Sequence, residues 1–162
     1  MTKRKWSYSV VFLLLALCAF DIKGIDRSAL YAVLAGNSEV EVDKELKRLD
    51  AEKSTSLTNA FEGALKMKKA GFIKGAGNKV KMFKSGALLL EEEIRSNPGN
   101  TEYRFIRLSI QENAPKVLKY NKNLSEDKKM IVEGYKRLDP DLKKVVKNYA
   151  AGSDIIKIDD LK

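Results

Sequence analysis

The chain has 162 residues, with 31 Lys or Arg against 22 Asp or Glu, a formal charge of +9, no histidine and one cysteine. That length sets a single domain, and an apolar content of 44% is that of a globular rather than a disordered chain. Without histidine, and with its one cysteine at Cys18, the sequence excludes nucleophile–histidine catalysis and the common zinc sites.

The first element is a targeting pattern. Lys3, Arg4 and Lys5 form a basic head, Val10 to Phe20 is an unbroken apolar run, and small or turn-forming residues follow. This three-part layout predicts a secretory signal peptide over 1–24. The run falls short of the ~18–20 apolar residues a membrane anchor needs, so no transmembrane span is expected in the mature chain. Cleavage is open among sites ending at Cys18, Ala19 or Gly24. Leu15-Ala16-Leu17-Cys18 half-resembles a lipoprotein box, although Leu17 is bulky for its place, and lipid anchoring at Cys18 is the lesser alternative. The expected location is periplasmic or secreted. Loss of 1–24 removes Lys3, Arg4, Lys5 and Lys23 with Asp21, so the mature domain stays basic.

From residue 25 the periodicity is helical throughout, and no stretch of six residues alternates as a strand does. Asp26 or Ser28 caps a short helix through Leu30 and Leu34 that Gly36 closes. Ser38 and Glu41 read as a capping box before a helix carrying Val42, Leu46 and Leu49. Ser54-Thr55-Ser56 restarts the chain into a helix with one apolar stripe of Leu57, Ala60, Phe61, Ala64 and Leu65. Gly71, Gly75 and Gly77 mark a loop, and a helix follows from about Lys79 to Ser96. Val80, Phe83, Ala87, Leu90 and Ile94 step along one of its faces.

Asn97-Pro98-Gly99-Asn100 cannot continue a helix, and Asn100 can cap the next one. That next helix, Thr101 to Asn113, is apolar on two sides: Tyr103, Ile106 and Ile110 on one, Phe105 and Leu108 on another. It is expected near the centre of the domain. Pro115 opens a short helix with Val117, Leu118 and Tyr120. Ser125 caps another with Ile131 and Tyr135, and Asp139-Pro140 starts a last one through Val146 and Tyr149 to Gly152. Residues 153–162 read as an extended tail. The expected fold is all-α, a single domain over 25–152 of about seven or eight helices packed as antiparallel pairs or an irregular bundle.

The segment Glu91 to Phe105, EEEIRSNPGNTEYRF, resembles the junction between two tetratricopeptide repeats, with Phe105, Leu108 and Ser109 like the large, large, small opening of the next repeat. Glu93 stands where that family has a small residue, and no period of roughly 34 residues recurs. The resemblance covers about a quarter of the mature chain. It implies helix pairs with a concave face for a protein partner and names no ligand.

Two residue sets are candidate sites. Lys66, Lys68, Lys69, Lys74, Lys79, Lys81 and Lys84 fall in a stretch without an acid between Gly63 and Leu90, suited to anionic envelope lipid or polysaccharide. The alternative for them is a solvated loop. Arg104, Arg107 and Gln111 share a strip on the doubly apolar helix, where planar guanidinium forks could clamp an acidic partner. The alternative is internal pairing, for instance with Glu92 or Glu93 across the hairpin. The Glu91-Glu92-Glu93 run reads as a solvated face and not as an acid/base pair. The glycines lack phosphate-loop spacing and no cofactor motif is present, so neither nucleotide nor nucleic acid is expected as ligand. The leading expectation is a non-enzymatic module that binds another protein, with a basic surface module as its alternative.

Overall fold

In the computed structural model, which describes residues 25–162, the chain forms seven α-helices and, among these residues, no strand. Capping sets most of the starts. Asp26 accepts from the Ala29 amide to begin α1 (Arg27–Ala35), and Ser38 accepts from Glu41 to begin α2 (Glu39–Asp50). Thr55 and Thr58 form a reciprocal cap on α3 (Ser56–Lys69). Asn100 takes the Glu102 and Tyr103 amides at the head of α5 (Thr101–Asn113). Asp139 caps α7 (Pro140–Ala150), with Pro140 in the first turn where its missing N–H costs nothing.

Three boundaries differ from the sequence reading. Helix α4 runs Ala76–Ser96, so Gly77 is helical and the loop is confined to residues 70–75, where Gly75 takes a positive φ of 85°. Helix α6 (Leu124–Gly134) starts after Asn123, with Ser125 already inside it. Pro115 opens only a 3-10 turn, Lys116–Leu118, which leaves Val117 84% exposed. The expected signal peptide and the Cys18 anchor lie outside the described residues. No described helix is long and apolar enough to cross a membrane.

Helices α3 and α5 organise the packing. Helix α5 lies against α3 and α4 on one side and α6 on the other, which is the two-sided burial that Phe105, Ile106 and Leu108 require. Helix α3 touches α1, α2, α4 and α5. The sequence reading gave it one stripe, yet Thr58, Phe61, Gly63, Leu65 and Met67 are all buried, covering more than one side. The α3–α4 pair closes on glycine: a Cβ at Gly86 would stand 2.4 Å from the Gly63 carbonyl oxygen, and one at Gly63 would stand 2.7 Å from that of Gly86. The two backbones touch with no side chain between them.

Residues 153–162 are docked and not a free extended tail. Ile156 is fully buried, and Ile158–Leu161 form a final 3-10 turn held by Lys128 to Asp160 at 2.8 Å. Glu112 of α5 is the anchor. Its carboxylate accepts from the Tyr149 hydroxyl, the Ser153 hydroxyl at 2.7 Å and the Asp154 amide at 2.6 Å. Burial alone would raise this carboxyl, but those donors outweigh it and hold it below the ordinary glutamate value of 4.5. A depressed carboxylate contributes stability that is present above the unfolded value and is lost as pH falls through the folded one. Acidification below pH 4.5 is therefore expected to release the tail. Amide exchange at Ile155 and Ile156 should rise there in the native chain, and should be raised already at neutral pH in Glu112→Gln. An unchanged exchange rate in that variant would remove Glu112 from this role.

Candidate functional site

The strip on α5 is internal. Arg107 is 3% exposed and forms a two-pronged pair with Asp127 of α6, Nε to Oδ2 and Nη2 to Oδ1, both at 2.7 Å. Its remaining nitrogen Nη1 reaches Glu91 Oε2 at 2.7 Å. Burial works against its charge, but Asp127 and then Glu91 more than compensate, so the guanidinium is held ionised more firmly than usual. Arg104 donates to Glu126 at 2.8 Å, to Asp127 at 3.3 Å and to the Pro98 carbonyl, tying α6 to the turn before α5. Gln111 reaches Asn123 at 3.3 Å.

With their donors spent inside the fold, Arg104, Arg107 and Gln111 present no clamp to a partner. The internal partners are also not Glu92 or Glu93, because Glu92 faces Arg95 and Glu93 accepts from Asn59. Nor is Glu91 a solvated member of its run: it bonds Arg107 and, at 2.7 Å, the Tyr120 hydroxyl. The residue that the sequence reading missed is Asp127, a fully buried carboxylate between two arginines. Its position among Ser125, Glu126, Lys128 and Lys129 looks like an ordinary polar turn of helix, and only the docking of α6 on α5 reveals its role.

Two lysines of the stretch are paired with acids. Acids come to it from nearby and from afar: Lys66 pairs with Glu62 one turn back at 2.6 Å, and Lys69 with Asp43 of α2. Lys74 sits exposed in the α3–α4 loop, and Lys81 and Lys84 are exposed on α4. Lys68 and Lys79 have a different setting. Both line a large open groove, and neither makes an ion pair among the described residues; Lys79 only reaches the Gly71 carbonyl at 3.3 Å.

That groove measures about 1370 Å³, above the ~300–1,000 Å³ of most small-molecule sites. Its floor is aromatic. Tyr31 of α1 meets Phe105 at 5.5 Å between centroids, and Phe105 meets Tyr149 of α7 edge-on at 5.3 Å, with Phe83 of α4 across from them. The hydroxyls are tied off: Tyr31 donates to Glu102 at 3.4 Å and Tyr149 to Glu112, acids at the two ends of α5. Leu34, Met67, Val80, Ile110 and Val145 extend the apolar lining, and Val80 and Val117 stand exposed at its lip. Lys68, Lys79 and Lys144 are its cations, Asp141 its one acid, and Asn37, Asn113 and Asn148 its amides.

Burial lowers the Lys68 amine from its ordinary value, with no carboxylate opposing the shift. A lysine shifted this way works against stability while charged, and the effect fades as pH rises through its folded value. Lys68→Met is therefore expected to leave the melting temperature equal or slightly raised at neutral pH, whereas a structural lysine would lower it. Differential scanning calorimetry distinguishes the two.

No protein-family model, curated protein or solved structure matches this chain.

Proposed function

We propose that this chain is a non-enzymatic helical interaction module that receives a segment of a protein partner in the groove between α1, α4, α5 and α7. The observation that carries the reading is an open apolar trough of about 1370 Å³ floored by Tyr31, Phe105 and Tyr149. A concave, mostly apolar site with a few polar groups at its edge is the usual form of a binding site. The resemblance of Glu91 to Phe105 to a junction between two tetratricopeptide repeats supports the same class of function. The basic head and apolar run before Ile25 support export to the periplasm or beyond. The absence of histidine supports a binding role over catalysis.

The alternative is a basic surface module holding anionic envelope lipid or polysaccharide through Lys66 to Lys84. It is weakened by the ion pairs of Lys66 and Lys69, which leave fewer free cations than the sequence offers.

The test is capture from envelope extract with the tagged full chain, at low and at physiological salt, in parallel with Ala32→Trp and Lys136→Trp. Ala32 is exposed and lines the groove, whereas Lys136 is exposed and does not. A discrete protein retained at both salts, lost in Ala32→Trp and kept in Lys136→Trp, is the expected result. Polyanionic material alone, lost as salt rises in all three proteins, would overturn it in favour of the alternative.

A further inference from the structure

What fills the groove is constrained by its chemistry, and the following rests on the groove being the binding site. Every described element is a helix, so the groove offers no free strand edge to pair with an extended peptide. Over its aromatic floor an extended segment would bury unpaired amides and carbonyls, which is costly. A helix brings its backbone bonds already made. Three turns of helix, ~10 Å across and ~16 Å long, occupy roughly 1300 Å³, close to the groove's own volume.

Charge then separates the candidate occupants. The groove carries Lys68, Lys79 and Lys144 against Asp141 alone. The chain's own apolar run at 10–20 is flanked by Lys3, Arg4, Lys5 and Lys23 against one acid, Asp21, a net positive charge that these lysines would repel. A second copy brings a chain of formal charge +9 to the same surface. An acidic occupant meets no such opposition, and Lys68, partly dehydrated and without a carboxylate of its own, is the site where its acid would be most strongly felt.

We infer that the groove takes an acidic amphipathic helix from a different protein, its apolar stripe on Val80, Ile110 and Val145 above the buried aromatic rings and its carboxylates opposite Lys68, Lys79 and Lys144. The apolar contact sets affinity, and the lysines choose acidic helices over basic ones and speed encounter.

Three fluorescein-labelled 16-residue probe peptides test this against the full chain by fluorescence anisotropy. One is an amphipathic helix with a leucine stripe bordered by glutamates, the second replaces those glutamates by lysines, and the third scrambles the first so that no stripe remains. The acidic helix is expected to bind at least tenfold more tightly than either of the others. The triple variant Lys68→Glu, Lys79→Glu, Lys144→Glu is expected to prefer the basic helix. Val80→Glu, at an exposed lip position, should lose the acidic one without charge reversal elsewhere. Equal binding of the acidic and basic helices, or of the ordered and scrambled ones, overturns the inference. So does binding of palmitate in place of any peptide, which would assign the groove to a lipid. If no peptide binds while Ala32→Trp still abolishes capture of a discrete protein, the groove remains the site and the acidic-helix inference alone falls.

Discussion

Asp127→Ala is expected to lower the unfolding free energy by about 3–5 kcal/mol, the usual effect of breaking a buried ion pair from one side. Asp127 is fully buried, and its two oxygens take three guanidinium contacts from Arg104 and Arg107. Its removal leaves the buried Arg107 with Glu91 as its one carboxylate. Against a typical total of ~5–15 kcal/mol, such a loss brings the chain near its folding threshold. Urea titration should show a lower midpoint at unchanged slope. The double variant Arg107→Leu, Asp127→Leu is expected to lose less than the sum of the two single changes, because neither residue is left facing the other's absence, while Arg104 keeps Glu126 and Glu91 keeps the Tyr120 hydroxyl. Additive losses would mean that the two residues act separately.

Gly86→Ala is expected to destabilise although helix propensity favours it. Inside a helix, alanine is better than glycine by ~0.5–1 kcal/mol. At Gly86 the new methyl carbon would stand 2.4 Å from the Gly63 carbonyl oxygen and 2.8 Å from the Met67 amide nitrogen. Both are backbone atoms of α3 and cannot swing aside, so α3 and α4 must separate, at a typical cost of ~1–3 kcal/mol or more. Gly77 supplies the control on the same helix. Nothing lies within 4 Å of a Cβ there, so Gly77→Ala should stabilise by ~0.5–1 kcal/mol. Opposite signs for the two substitutions in thermal denaturation are the expected result. The same sign for both would mean that the α3–α4 crossing is not closed by glycine.

These two sites show where sequence reasoning reached and where it stopped. Helix starts are local chemistry, a side-chain oxygen three residues before an amide, so Asp26, Thr55, Asn100 and Asp139 were all legible as restarts of the chain. The two-sided pattern of α5 was equally local, and it carried the correct demand that Arg104 and Arg107 find partners. Which partners was not local. Asp127 lies 20 residues beyond Arg107 and looks like any surface acid until α6 docks. Gly63 and Gly86 carry no signal of their contact, because nothing in either helix announces that the other is there. The groove is still less legible, since its floor comes from α1, α5 and α7 and its cations from α3, α4 and α7. Lys68 and Lys79 stood out in the sequence for the missing acids around them. Lys144, beside Lys143 and Asp141, did not.

The most direct test of the groove as the binding surface is a site-specific photo-crosslinking scan in cells that make the full chain. A benzophenone side chain at position 80, 110 or 117 looks into the groove or stands at its lip, and one at 129 or 136 is exposed away from it. A discrete higher-mass species from the first three positions, and none from the last two, is the result expected. Crosslinks of equal yield from positions 129 and 136, or none from the groove positions, would contradict the account.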